Sequence, residues 1–427
     1  MDLDPIRLDF VPTARLRRLA MVAGLAVALA VVTSHGELLV VAVVPLVLLV
    51  GVPRSGVPTG AEVSVALSTA RCVEGDEVEL VLTVRADGCD RVQAEPVAPP
   101  WSELTYLGAS REGHETVARW TLVPGRWGRH RVGPVRLRVH AGGGAYLARA
   151  SLEVGDLVVY PAAAALARAV APIELAAPLG EHPSRSVGSG VEFAGVRPYA
   201  QGDRQRDVDW RVSARHGDLF VRQYAAERAF DLVLVLDTEL DAGEPGRSSL
   251  DLTVRAATGL VQTYLRSHDR VGLVTFGGPL RWLTPATGPR QLYRVTEALM
   301  SVRPDPSELD AGSVGYGLDH LPRGLLPRRA FVALLTPLLD DGPLDAVRLM
   351  LERGFAPLVI DVLTASPTVP PKSKDAALAV RAWRMQREAL TLELGNLGVA
   401  VLDWDGAAEL TGGLVHAMRA ARPGGRP

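Results

Sequence analysis

The sequence predicts a multi-domain protein with an N-terminal transmembrane helical hairpin, an antiparallel β-sandwich-like domain and a doubly wound, Rossmann-type α/β domain. Two long apolar runs near the N-terminus indicate the hairpin. Short segments of alternating polarity follow, and then apolar runs that alternate with helical patterns. A length of 427 residues suits about three domains of roughly 150 residues each.

The charge balance limits the function classes open to the chain. A net charge of −2, from 46 basic and 48 acidic residues, argues against a nucleic-acid partner bound through bulk charge. Lys372 and Lys374 are the only lysines, and neither follows a glycine run as a phosphate-binding loop requires. We therefore do not expect an autonomous ATPase.

Residues 1–58 are predicted to form an N-terminal tail and two transmembrane helices at about 18–34 and 37–53. The apolar stretch from Leu19 to Val52 is interrupted only by a polar turn at Thr33–Glu37. Each apolar run is about 15 residues, which is short for a bilayer unless flanking residues extend it.

The flanking charges predict the orientation of this hairpin. Arg15, Arg17 and Arg18 precede the first run and Arg54 follows the second, so the positive-inside rule places both ends in the cytoplasm. We expect a two-pass cell-membrane protein whose soluble domains are cytoplasmic. The alternative is a secreted protein with a leader cleaved near Ala28–Ala30.

Residues 59–161 are predicted to form the β-sandwich-like domain. Glu62–Leu67 and Val78–Val84 alternate with period two. Further strands are expected at 117–123, 128–132, 135–139 and 152–159. Trp101, Trp120 and Trp127 suit core or edge packing better than a binding face, and whether Cys72 and Cys89 pair is left open.

Residues 162–229 are predicted to be a linker that carries an arginine-rich segment. Eight arginines and seven acids lie between Ser184 and Asp231, a density that suits networks of paired charges. Two interpretations stay open: the segment is either a structural staple or a docking surface for a partner protein.

Residues 230–427 are predicted to form the α/β domain. Strands are expected at 232–236, 271–276, 331–335, 358–362 and 399–402. Helices are expected at 250–266, 289–302, 344–353, 375–394 and 407–419. Asp237 closes the first strand, at the carboxyl edge where doubly wound sheets bind ligands.

The chain resembles the domain-of-unknown-function 58 family (DUF58) over nearly its whole length. The residues that carry the resemblance are Glu192-Phe193, Arg197-Pro198-Tyr199, Gly202-Asp203, Arg206, Asp209-Trp210, Ala214-Arg215, Leu219–Arg222, Glu227 and Asp237, with Pro124–Gly128, Val132–Val135 and Val159–Pro161 upstream. The resemblance implies two N-terminal membrane helices, a β-rich region, the arginine-rich signature and a von Willebrand factor A-like domain. It also implies a partner, an AAA+ ATPase of the MoxR type.

A von Willebrand factor A-like domain implies a metal-ion-dependent adhesion site, with Asp-x-Ser-x-Ser at the first strand end. Here the motif is Asp237-Thr238-Glu239-Leu240-Asp241, so both serines are replaced by acids, and Pro337 stands where a further aspartate is expected. Ser313 is a stand-in for the family's threonine. The metal candidates are therefore Asp237, Glu239, Asp241 and Ser313, in a degenerate site that would hold Mg²⁺ if it holds an ion.

No catalytic residues are identified, so we expect no enzyme activity, and no cofactor besides the Mg²⁺ of that degenerate site. The preferred function is a membrane-anchored adaptor that works with a MoxR-type ATPase and with other membrane or complex proteins, in chaperone-like assembly or stress-related functions. The alternative is a metal-dependent, ligand-binding von Willebrand factor A protein without an ATPase partner. The residues expected to form the interaction or structural signature are Glu192, Phe193, Arg197, Tyr199, Asp203, Arg206, Asp209, Trp210, Arg215 and Arg222.

Overall fold

A computed structural model describes residues 5–50, 60–166, 193–201, 203–224, 231–277, 280–303, 326–327, 330–363, 374–406 and 410. The chain divides into two compact units. The first contains Met1–Ala162 and Glu244–Asp251, and the second contains Ala163–Gly243 and Leu252–Pro427.

The first unit contains two apolar helices, α1 (Ala14–Thr33) and α2 (Leu38–Val50), which contact each other. The side chain of Thr13 accepts a hydrogen bond from the Leu16 amide and caps α1, which is why α1 begins earlier than the predicted residue 18. In the described part of the chain, α1 alone is long and apolar enough to cross a membrane. Helix α2 has 13 residues and contains Pro45, so the second pass through the bilayer stays a prediction. The cytoplasmic orientation also stays a prediction.

The N-terminal tail, predicted as part of the membrane region, contributes two strands to β-sheets. Strand β1 (Ile6–Leu8) pairs with β3 (Ala61–Leu67), and β2 (Val11–Pro12) pairs with β11 (Tyr146–Leu152). The remaining strands of this unit are β4 (Arg71–Val73), β5 (Val78–Ala86), β6 (Cys89–Pro96), β7 (Ser102–Glu112), β8 (Glu115–Pro124), β9 (Gly128–Val132), β10 (Val135–Ala141) and β12 (Gly155–Tyr160).

These strands form three sheets around one apolar core. The strand orders are β1-β3-β5-β8-β7, β2-β11-β10-β6 and β4-β12-β9. Val63, Val139 and Leu157, one from each sheet, belong to the same buried cluster. The pairing is antiparallel except between β4 and β12, where the sequence had predicted an all-antiparallel arrangement.

The tryptophans and cysteines of this unit are mostly internal. Trp120 and Trp127 are buried, whereas Trp101 is about half exposed. Cys72 and Cys89 are buried free thiols. Burial, helped by the charge of Asp76, raises the pKa of Cys72 to about 11, so this thiol stays protonated and unreactive at neutral pH.

The second unit is built on a six-stranded sheet with the order β17-β16-β15-β18-β19-β20. Its strands are β15 (Asp231–Asp237), β16 (Arg270–Phe276), β17 (Arg281–Ala286), β18 (Phe331–Thr336), β19 (Leu358–Asp361) and β20 (Ala400–Asp403). All neighbours pair in parallel except β16 and β17. Strand β17 was not predicted from the sequence.

Four helices accompany this sheet, close to their predicted positions. They are α4 (Ser249–Arg266), α5 (Pro289–Met300), α6 (Gly342–Glu352) and α7 (Lys374–Asn396). The helix predicted at 407–419 lies outside the described residues, apart from Leu410.

The strand order places a topological switch point between β15 and β18. After β15 the chain moves to β16 on one side, and it later returns to β18 on the other side. In open α/β sheets, ligands bind at the carboxyl ends of the strands that flank such a point. Asp237 and Thr336 are the last residues of these two strands.

Candidate functional site

The carboxylate of Asp237 is held at the switch point by two hydrogen bonds. The Thr336 hydroxyl donates to Oδ2 at 2.7 Å, and the Glu239 amide donates to Oδ1 at 3.2 Å. The same Thr336 hydroxyl accepts a bond of 3.0 Å from the Leu338 amide. The ends of β15 and β18 are therefore connected through their last side chains.

Burial gives Asp237 an unusual acidity. Loss of solvent contact raises its pKa to about 7; the bonds from Thr336 and Glu239 oppose the shift, and the negative charges of Asp340 and Glu239 add to it. Burial likewise raises the pKa of Asp340. Near neutral pH, Asp237 therefore exists partly in its protonated form.

A glycine allows the loop after β15 to approach β16. Gly277 has φ +85°, and a Cβ built on it would lie 2.5 Å from the Glu239 amide nitrogen. Only glycine tolerates this backbone conformation together with this contact. Gly277 therefore sets the position of the Asp237–Glu239 segment.

The metal candidates differ in exposure, and one of them lies outside the described residues. Asp237 is buried, Glu239 is half-buried, Asp241 is exposed, and Ser313 lies outside the described residues. Within the described ranges, no group of three or more His, Cys, Asp or Glu side chains is arranged to hold a metal. Mg²⁺ keeps several water ligands and binds proteins through one or two carboxylates, so the degenerate Mg²⁺ site stays a prediction.

An arginine side chain of α7 connects the ends of the neighbouring strands β18 and β19. The Arg387 guanidinium of α7 pairs with the Asp361 carboxylate and donates to the carbonyl of Pro337. It also donates to the carbonyl of Leu363 at 2.6 Å. Arginine's planar fork suits such a combination of acceptors. Burial raises the pKa of Asp361, and the bond and charge of Arg387 oppose that shift.

The signature residues occupy a small module outside the sheet. Strands β13 (Phe193–Pro198) and β14 (Phe220–Tyr224) form an antiparallel hairpin, which encloses a 3-10 turn at Gln205–Asp207 and helix α3 (Trp210–His216). Phe193 begins β13, and Glu192 and Glu227 lie outside the described residues.

One ion pair closes the loop between β13 and the 3-10 turn. Arg197 donates to both carboxylate oxygens of Asp203, at 2.7 and 2.6 Å, and the Ala200 amide donates to Asp203 at 2.8 Å. The bonds from Arg197 and then Ala200 lower the pKa of Asp203. Tyr199 contributes a hydroxyl bond of 3.3 Å to the Asp203 carbonyl. This part of the signature is therefore paired within the module.

A second acid begins α3. Asp209 accepts hydrogen bonds from the amides of Arg211 and Val212, at 3.1 and 3.2 Å, as an N-cap residue does. Its other oxygen accepts from Arg222 of β14 at 3.2 Å. The Val212 amide is the largest cause of its lowered pKa, with smaller contributions from Arg211 and Arg222. Asp209 thereby connects α3 to the hairpin.

Residues 195–364 match the family described as Protein of unknown function DUF58. Uncharacterized proteins of Mycobacterium bovis and of two strains of Mycobacterium tuberculosis are each 30% identical over 173 residues, which is 40% of this chain and 53% of theirs. The chain thus spans about half the length of these curated relatives. A non-cellulosomal cohesin from Archaeoglobus fulgidus is similar over 22% of this chain and 88% of its own, with 10% identity and a TM-score of 0.16.

The DUF58 match includes both regions described above. It covers the hairpin module from Gly195 onward and extends through β15, β18 and β19. Within it, Tyr199 and Arg222 are exposed but make the hydrogen bonds given above, and three further signature side chains face solvent. Trp210 is 65% exposed, Arg215 is exposed in the last turn of α3, and Arg206 is exposed with Asp207 3.8 Å away. The signature therefore contains an internally paired half and a solvent-facing half.

Sequence reasoning missed Arg387. Arg387 is 26 residues from Asp361 and lies in a different element. An acid at a strand end and an arginine in a later helix were both visible in the sequence. Nothing in their spacing identified them as partners.

Proposed function

We propose that this chain is a membrane-anchored interaction protein whose hairpin module docks a partner protein. The anchor is helix α1, with α2 as the second pass of a two-pass arrangement that leaves the soluble units in the cytoplasm. The chain itself carries out no catalysis. The α/β unit is, by the family resemblance, a von Willebrand factor A-like domain with a degenerate metal site.

The exposed half of the signature carries the proposal. Trp210 is a large aromatic side chain at the first turn of a capped helix, and it is mostly exposed. Arg206 and Arg215 in the same module are exposed as well. Tryptophan and arginine are the residue types most enriched among binding hot spots. Arg197, by contrast, is paired with Asp203 inside the module.

The proposed partner is a MoxR-type AAA+ ATPase, which rests on the family resemblance. Such a partner would supply the nucleotide chemistry for which this chain has no suitably placed lysine. Other membrane or complex proteins would then be the clients, in assembly or stress-related functions. The partner's contact with Trp210 would bury the indole and pair its own acids with Arg206 and Arg215.

A pull-down from membranes tests this proposal. The full chain would be solubilised with a non-hydrolysed nucleotide present, and the captured proteins identified by mass spectrometry. We expect an AAA+ ATPase with wild type and its loss with Trp210→Ala, while the thermal unfolding midpoint is unchanged. Arg197→Ala is the matched control, because it should lower the midpoint through the lost Asp203 pair. An ATPase captured equally by Trp210→Ala would contradict the docking surface.

A reporter fusion tests the topology separately. A reporter active only outside the cytoplasm, fused after Pro427, should stay inactive. Activity there would overturn the cytoplasmic orientation and favour the alternative of a secreted protein.

A further inference from the structure

Helix α7 exposes an apolar stripe that the functions above do not use. Leu378, Met385 and Leu392 are 72%, 63% and 69% exposed, and they are spaced at successive intervals of seven residues. Ala382 and Ala389 are also exposed and lie between them at the four-three spacing of a coiled-coil seam. The stripe rises about 21 Å along the helix.

The opposite side of α7 is already occupied by its own unit. Leu390 and Leu394 are buried, and Arg387 pairs with Asp361. At 100° per residue, these side chains lie roughly 140–200° around the helix from Met385. The exposed stripe is therefore a second apolar face and not the edge of the buried one.

The order of side chains along the stripe suits a second copy of the same helix. Large and small residues alternate as Leu378, Ala382, Met385, Ala389 and Leu392. If two copies run antiparallel about a point between Ala382 and Met385, each Met385 meets an alanine and each Leu378 meets Ala389 of the partner subunit. Such alternation lets knobs fill holes without voids.

Charges beside the stripe favour the same register. Arg381 and Glu388 are exposed and lie along one flank of the seam. In the antiparallel arrangement, Arg381 faces Glu388 of the partner subunit, and two-fold symmetry repeats the pair. A shift by one heptad would instead bring the two Glu388 side chains together, which like-charge repulsion disfavours.

We propose that α7 is a homodimerisation surface, on which two copies of this chain pair antiparallel through the Leu378–Ala389 part of this stripe. The contact is shorter than the seams of stable coiled coils, and one helix pair buries less than the roughly 1,600 Å² of a standard interface. The dimer is therefore weak, and the fraction of chains in it rises with the local concentration of the chain. A shared membrane anchor would raise that concentration.

Disulfide cross-linking of the full chain in detergent tests the pairing and its direction. A mixture of Leu378→Cys and Ala389→Cys chains should yield a cross-linked dimer of the two variants. Leu378→Cys alone should not, because its two copies would lie about 16 Å apart along the axis and a disulfide needs Cα atoms within about 7 Å. The wild type supplies the background, since Cys72 and Cys89 are buried. Cross-linking of Leu378→Cys chains alone would overturn the proposal, and so would a mixture that yields no cross-linked dimer.

A charge exchange tests the register without depending on cysteine chemistry. In sedimentation equilibrium, Arg381→Glu and Glu388→Arg should each weaken dimerisation by about tenfold or more, because like charges then face each other twice. The double variant should restore wild-type dimerisation. Both positions are exposed, so an unchanged thermal midpoint is expected for every variant. A chain that stays monomeric at all concentrations, or a double variant that remains as weak as the single ones, would refute the antiparallel pair.

Discussion

The hydroxyl of Thr336 donates a hydrogen bond to Oδ2 of Asp237 across 2.7 Å, joining the last residues of two parallel strands. Both side chains are buried, and the bond lies at the point where the strand order reverses. A hydroxyl and a backbone amide donate to the carboxyl group of Asp237. The raised pKa of Asp237 makes these contacts accessible to measurement.

The raised pKa of Asp237 predicts a pH-dependent stability of strand β15. The pKa is about 7 in the folded chain and about 3.9 when unfolded, so the folded state binds the proton more tightly. The contribution of this group is therefore greatest below about pH 4, declines as the pH rises to about 7, and is constant above that. The loss is at most about 4 kcal/mol. Asp237→Asn removes the titration, so its stability relative to wild type should rise between about pH 4 and pH 7.

Hydrogen exchange of the β15 amides measures this effect locally, with wild type and variant compared at the same pH. Asp345→Asn is the control, because the Asp345 side chain is 75% exposed and its removal should leave the β15 amides unaffected. A constant difference between wild type and Asp237→Asn across the pH range would show that Asp237 does not titrate there.

Gly277→Ala should displace the segment that follows Asp237. The added Cβ would meet the Glu239 amide nitrogen at 2.5 Å, and alanine disfavours φ +85°. We expect the free energy of unfolding to fall by more than about 1 kcal/mol, and the Thr238 amide bonded to Phe276 to exchange faster. Gly395→Ala is the matched control, since that helical glycine has open space around it and alanine should stabilise α7 slightly. Equal stability of the two variants would contradict the close approach.

Arg387→Met should be among the most destabilising single changes in the α/β unit. It leaves Asp361 buried without its cation, a loss of about 3–5 kcal/mol, and it removes the donor to the Leu363 carbonyl. Arg387→Lys should recover only part of the lost stability, because one ammonium group cannot satisfy both the carboxylate and the separate carbonyls. Thermal unfolding with increasing denaturant checks both variants.

Arg348→Met provides the comparison for that measurement. Arg348 pairs with Glu393, but both side chains are 46% exposed, so the loss should be about 1 kcal/mol or less. A similar loss for Arg348→Met and Arg387→Met would mean that burial does not strengthen the inner pair.

The sequence predicted the sheet better than its edge. Strands such as β15 and β18 are apolar on both faces and end within two residues of their predicted positions, because a strand covered on both sides needs an uninterrupted apolar run. Strand β17 was missed since it is a short, mostly exposed edge strand containing Pro285, and edge strands need no such pattern. The N-terminal strands were missed because two or three residues carry no periodicity.

Side-chain partners were less predictable than strands. Eight arginines and seven acids in the signature segment indicated ion pairs, yet composition did not assign Arg197 to Asp203 or Arg222 to Asp209. Those pairs depend on the backbone turn after β13 and on the cap of α3. Arg387 was harder still, since its partners lie at two strand ends that meet only in the folded sheet.

Asp209 should control the order of helix α3. Asp209→Ala removes the acceptor of the Arg211 and Val212 amides and of the Arg222 side chain, so the two amides should exchange faster. Asp209→Asn should retain much of their protection, because asparagine also caps helices. Because the pKa of Asp209 is lowered in the folded chain, its contribution to stability is present above the unfolded pKa and is lost as the pH falls through the folded pKa. Protection of the α3 amides should therefore weaken below about pH 4 in wild type. Asp218→Ala, at an exposed acid just beyond α3, should change neither result. If Asp209→Ala left the exchange of Arg211 and Val212 at wild-type rates, α3 would be held by the hairpin alone, and the exposed position of Trp210 would not depend on the cap.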